Sequence, residues 1–364
     1  MKIKLHLPVF LLAGMAFLSG ISLAAQNIAV INNNKLNQPP KSISIAGVGD
    51  IMPGTSFPSE AFLPPESRLK TLFGPLGDTL RNATVAFGNL EGSFLNKGEP
   101  AKRCRDSTNC YLFRIPERYA ALLSDAGFDL LSLANNHTGD FGAAGKKATK
   151  RLLDSLGIAY AGLTEHPWAI IERDSLRIGF IAFAPNAGTL NLHDTLAAAA
   201  AVRMLGEKCD IVVASFHAGA EGAQHQNVTR AVEYYVGENR GNVYEFARLL
   251  IDNGADIVFG HGPHVPRAID LYNDRFIAYS LGNFLTYSRF NLSGPNALAP
   301  LALINVDAGG RFLSGRIVPG IQVRGEGVRY DTRRLVIEKI RELMAADFPD
   351  SLISLSEEGV ITYK

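Results

Sequence analysis

Between Ser42 and Val265, five short apolar runs each stop in a cluster of glycines and chemically active polar side chains. Nothing else in the chain restricts the fold as much. Residues 42–48 lead into Gly49, Asp50 and Gly54, and residues 84–87 into Gly88, Asn89, Glu91 and Gly92. Residues 129–134 lead into Asn135, Asn136 and His137, followed by Asp140 and Gly142. Residues 210–216 end in His217, Gly219 and Glu221, and 256–259 in Gly260, His261 and His264. Apolar runs of this length, closed by glycine, read as buried strands. Residues 177–184 and 276–280 are two more. Helical spacing fills 116–126, 143–156, 195–207 and 242–253, and 229–236 also reads as helical. The alternation predicts an α/β architecture with much parallel pairing. Beyond about Ala302 the pattern changes to strands at 301–306 and 312–322. An amphipathic helix follows at 332–346, with Leu335, Ile340 and Leu343 on one face. With no internal repeat or linker after Ser42, residues 42–364 read as one domain.

In open α/β sheets, ligands collect beyond the carboxyl ends of the strands. Four of the eight histidines stand at those ends, beside carboxylate and amide oxygens. Imidazole with carboxylate suits a divalent ion such as Zn, Mn or Fe, whereas an all-oxygen set would suit Mg or Ca. The charge balance, 36 basic against 35 acidic side chains, gives a net +1 and no support for a nucleic-acid partner.

The N-terminus carries a different message. Lys2 and Lys4 precede an almost wholly apolar run from Leu7 to Leu23, and Ser22 and Ala24 fit the small positions of a signal-peptidase site. Residues 1–25 are therefore expected to be a signal peptide, or a membrane anchor if they stay uncleaved. Residues 26–41 are an Asn-, Gln-, Pro- and Lys-rich linker. The expected location is exported, in the periplasm or outside the cell. In an oxidising compartment Cys104 and Cys110, which bracket a polar turn, are expected to form a disulfide. Cys209, at the head of an apolar strand, reads as a small buried hydrophobe.

Six ordered blocks then resemble a known family: Gly49-Asp50-Ile51-Met52, Asn89-Leu90-Glu91, Asn135-Asn136-His137, His217-Ala218-Gly219-Ala220-Glu221, Gly260-His261-Gly262-Pro263-His264-Val265 and Tyr279-Ser280-Leu281-Gly282-Asn283-Phe284. They are similar to the signature blocks of the CapA family, the poly-γ-glutamate capsule synthesis proteins of the calcineurin-like metallophosphoesterase superfamily. The resemblance implies a four-layer α/β/β/α sandwich and two divalent metal ions. Asp50, Glu91 and His264 would form the first metal site, and Glu91, Asn136, His217 and His261 the second. His137 would be the general acid to a leaving oxygen. Two features depart from the wider superfamily: Met52 replaces a usual first-site histidine, and the closing motif is His261-x-x-His264. The fourth block has His217-Ala218-Gly219 where a tryptophan is usual.

The function so implied is metal-dependent, phosphoesterase-like chemistry in capsule, poly-γ-glutamate or related envelope-polymer synthesis. The substrate would be an anionic envelope polymer or a phosphoester. Glu221 and Arg267 are candidates to orient it, Arg267 being equally readable as a solvated surface charge. The segment 224–240 reads as a lid or as a packed surface helix. The alternative function is a non-catalytic partner of a membrane-bound polyglutamate synthetase, handling or exporting the polymer.

Overall fold

A computed structural model describes residues 42–102 and 111–364. The expected signal segment (1–25) and linker (26–41), and Cys104 and Cys110, lie outside the described residues. Alternation in the first strand, Ser42–Met52, explains the architecture. Ile43 and Ile45 point to one side and Ala46 and Val48 to the other, and all four are buried. A strand buried on both faces must be covered twice. One face meets a second sheet and the other meets helices.

Among the described residues there are two large sheets. The nine-stranded one runs, in spatial order, Ile353–Leu355, Val360–Tyr363, Phe312–Val318, Leu301–Asp307, Ser42–Met52, Val85–Leu90, Leu130–Ser132 and Ala159–Ala161, with Asn283–Thr286 pairing on the far end of Ser42–Met52. The six-stranded one runs Ile269–Tyr272, Arg275–Ala278, Ile257–His261, Ile211–His217, Leu176–Phe183 and Trp168–Arg173. The middle of each sheet is parallel, so their carboxyl ends gather on one side.

The inner faces meet through aromatic rings. Phe87 stacks on Phe259 at 5.3 Å between centroids and tilts against Phe180 at 5.2 Å. Gly47 permits this approach, because a Cβ there would lie 2.5 Å from the Phe259 ring. Leu76, Leu80, Leu122, Leu123 and Leu153, from three helices, cover the outer face of the larger sheet. Helices Thr195–Gly206 and Val243–Asp252 cover the other sheet, Phe246 meeting Phe183 and Phe216 edge-on. The result is the four-layer α/β/β/α sandwich. No helix among the described residues is long and apolar enough to cross a membrane.

Two sequence expectations fail here. Residues 229–236 are not a helix: the segment ends in a ribbon of Tyr234–Tyr235 against Glu238–Asn239, with Val236 and Gly237 at positive φ in the turn. The run 312–322 is two strands, since Pro319 separates Phe312–Val318 from Gly320–Val323, which pairs with Gly327–Tyr330 in a ribbon of its own. A proline cannot donate to the ladder, and the chain changes sheets there.

Candidate metal centre

The register of the parallel strands assembles the site. Asp50 lies level with Asn89 across one strand pair, and His217 level with His261 across another. Gly49 makes the first placement possible, since a Cβ there would fall 2.0 Å from the Gly282 carbonyl oxygen. That approach lets the Asp50 amide donate to the same oxygen at 2.9 Å.

Asp50 is fully buried. Its Oδ1 accepts from Asn89 Nδ2 at 2.8 Å and lies 3.3 Å from His261 Nδ1, and its Oδ2 accepts from His264 Nδ1 at 2.9 Å. Burial opposes its ionisation, but the nearby imidazoles of His261 and His264 outweigh that and hold the carboxyl well below the usual range. Glu91 is the opposite case. Both of its oxygens are buried without a hydrogen-bond partner among the described residues, and burial, then the Asp50 charge, push its pKa well up. Glu91 Oε1 lies 3.9 Å from His137 Nε2, 3.9 Å from His217 Nε2 and 3.7 Å from His264 Nε2. One carboxylate thus stands at the hub of three imidazoles.

The histidines divide by environment. Burial holds His217 well below its ordinary pKa, in the neutral form that ligates metals. His264 is pushed up to about 10, burial being outweighed by Glu91, Asp50 and Glu221. It also adopts the left-handed region at φ 58°, uncommon for non-glycine residues, and the amides of Asn283 and Asn296 hold its carbonyl. His137 Nδ1 donates to Asp140 Oδ2 at 2.8 Å, which turns its Nε2 toward Glu91. Burial, against the pull of Asp140, leaves its pKa lowered.

The two neighbouring asparagines have separate jobs. Asn135 is spent locally: Nδ2 donates to Asn89 Oδ1 and the Leu90 carbonyl, and Oδ1 accepts from the amides of His137 and Thr138. Asn136 Oδ1 is buried and makes no hydrogen bond among the described residues. The same holds for His217 Nε2 and both ring nitrogens of His261. Buried polar atoms are ordinarily paired, and the unpartnered oxygens and the lone-pair nitrogens among these atoms are ones that a cation would relieve. Ligand atoms of Asp50, Glu91 and His264 lie within 4.8 Å of one another. The donor set fits a divalent ion of the Zn, Mn or Fe type. Met52 takes no part, being buried in the helix-side apolar cluster.

Of the two substrate candidates, Glu221 is at the centre and Arg267 is not. Glu221 Oε2 lies 3.9 Å from His264 Nε2. Arg267 is wholly buried, and its donors are spent on Glu233 at 2.8 and 2.7 Å and on the carbonyls of His225 and Ala220. It corrects both readings, being neither a substrate contact nor a solvated charge. Sequence patterns gave no role to Asn89, Asn135 and Asp140, which orient Asp50, the strand-end turn and His137. Their spacing, two or three residues from a candidate ligand, was the available signal. Arg240, at 2 % exposure beside Glu221, carried none.

Two facing sheets, covered by helices and carrying this cluster at the carboxyl ends of their strands, define a four-layer α/β/β/α sandwich with a candidate metal centre. The family described as bacterial capsule synthesis protein PGA_cap matches residues 44–288, and the chain belongs to that family. It is 27% identical over 266 residues to the capsule biosynthesis protein CapA of Bacillus anthracis, covering 67% of this chain and 60% of that protein. It is 28% identical over 263 residues to the PGA biosynthesis protein CapA of Bacillus subtilis (strain 168), covering 67% and 63%. The chain therefore spans about six tenths of the length of these relatives. Among solved structures it is similar to a 5'-nucleotidase precursor from Thermus thermophilus, with TM-score 0.41 and 13% identity over 84% of this chain and 59% of that one. It is also similar to the purple acid phosphatase PPD1 of yellow lupin, with TM-score 0.37 and 11% identity over 82% and 55%.

Proposed function

We propose that this protein serves capsule, poly-γ-glutamate or related envelope-polymer synthesis through a divalent-metal, phosphoesterase-like site. The observation that carries this reading is the set of unsatisfied buried atoms on Glu91, Asn136, His217 and His261. Those four residues would hold one ion, and Asp50, Glu91 and His264 would hold a second. When bound, such ions supply Lewis acidity toward a phosphoryl or carbonyl oxygen. Asn89 fixes the Asp50 carboxylate, and Asp140 fixes the His137 ring so that Nε2 is the atom that carries a proton to a leaving oxygen. Export through residues 1–25 and a Cys104 to Cys110 disulfide belong to the same proposal. Mass spectrometry of non-reduced secreted protein should find those two linked and Cys209 free. Three free thiols would sink that part.

A second reading, a non-catalytic partner of a membrane-bound synthetase, is favoured by Met52 standing where the first site would take another nitrogen. Elemental analysis separates the possibilities. The purified chain should keep at least one divalent ion, held by the four-residue site, with the other lost readily. His217→Ala should release the retained ion. His137→Ala should spare it and slow cleavage of a model phosphodiester roughly 10²–10⁴-fold. Absence of any divalent metal after repletion would overturn the metal reading. Metal with no hydrolysis, and a His137→Ala variant that still supports polymer formation in cells, would favour the assembly role.

A further inference from the structure

Arg240 is a buried cation that the chemistry above does not use. It lies just past the ribbon that follows Glu221, with 2 % of its surface exposed. Its side chain reaches two carboxylates: Nη1 stands 3.5 Å from Glu238 Oε2 and Nη2 stands 3.1 Å from Glu221 Oε1. Nε and Nη2 make no hydrogen bond among the described residues, the Glu221 contact being a charge pairing without hydrogen-bond alignment. Those two nitrogens share one edge of the guanidinium. That edge is the fork that grips two oxygens of a carboxylate or phosphate at once. Leaving buried charged donors without hydrogen bonds is expensive, so a fork with Nε unpartnered and Nη2 only charge-paired is a sign of a ligand.

Arg240 is one side chain away from the centre, through Glu221. Glu221, its neighbour, reaches toward His264 with its other oxygen. The Arg240 backbone is fixed as well: the amide donates to the Glu233 carbonyl at 2.8 Å and the carbonyl accepts from Gly219 at 2.9 Å. Glu233 is itself clamped by Arg267 and accepts from the Ala220 amide at 2.8 Å. One buried ion pair therefore positions both Arg240 and the segment that carries Glu221.

We infer that Arg240 is the substrate's oxyanion clamp, gripping a phosphoryl or carboxylate group beside the metal centre. This deepens the proposed function, because it names an anionic group as what the site recognises, and it rests on the metal reading. The test is calorimetric titration of the metal-loaded full chain with inorganic phosphate and, separately, with a γ-linked glutamyl-glutamate dipeptide. Metal content is measured on every sample. Arg240→Gln should keep its metal and bind one of the two probes roughly 10- to 100-fold more weakly, the loss expected for a charge-assisted hydrogen bond. The probe that weakens tells phosphoryl from carboxylate recognition. Arg240→Lys, which keeps the charge but not the fork, should also bind more weakly than the wild type. Unchanged affinity for both probes in either variant overturns the clamp, and so does loss of metal from Arg240→Gln, which would mark a purely structural role. A wild-type chain that holds no metal overturns the reading of the centre instead, and phosphate titration of that protein still reports on Arg240.

Discussion

Buried carboxylates in this molecule are handled in three ways, and each leaves a distinct titration. Asp50 is ionised against burial by two imidazoles, and Glu91 is pushed toward the neutral form. Asp256 stands at the head of the strand that carries His261. It accepts from the Val212 amide at 2.8 Å and pairs with Arg275 at 2.8 Å, yet burial raises its pKa to about 6. The folded chain therefore holds this proton more tightly than the unfolded chain does. The stability it contributes is complete below about pH 4 and is lost as pH rises through about 6. Unfolding free energies of the wild type and Asp256→Asn, compared between pH 4 and 7, should diverge by about 3 kcal/mol across that window. A pH-independent difference would show that Asp256 does not titrate there. Roles that depend on burial are the ones a sequence hides. Arg267 and Arg240 carry the same charge in similar loops, and only their surroundings separate a scaffold from an open fork.

At the scale of elements, legibility followed periodicity. The strands ending at Asp50, Glu91, His217 and His261 and the helices Gly142–Leu156, Thr195–Gly206 and Val243–Asp252 announce themselves by repeat and length. The edge strands Trp168–Arg173, Ile269–Tyr272 and Ile353–Leu355 do not, because they are short or only half-buried. The segment between His217 and Val243 misleads, since its polar spacing resembles a helix while tertiary contacts decide its path. What holds it is the Arg267 to Glu233 pair. Removing one partner of a buried pair leaves an uncompensated charge, so Glu233→Ala should lose about 3–5 kcal/mol in urea unfolding. It should also weaken anion binding, by loosening Arg240. A loss under about 1 kcal/mol would mean that the ribbon is held by something else.

For the molecule as a whole, the alternation of strands and helices declared the class, and the six blocks declared the family. The close fit of the layers was less visible. Gly47 lies inside the apolar run 42–48 with nothing local to mark its use, which is to leave room for Phe259 from the facing sheet. Long-range complementarity of this kind has no local pattern.

The centre also has a consequence for durability. Asp50 and Glu91 come from the edge of one sheet, and His217 and His261 from the edge of the other. An ion bound among them is a removable rivet between two layers that are far apart in the chain. A ligand taken up only by the folded form raises stability with the logarithm of its free concentration. The unfolding temperature should fall on chelation and climb again as Zn or Mn is titrated back, and no change on chelation would show that the layers stand without the rivet. The service life of each molecule would then be set by the cation supply around it as much as by its own amino acids.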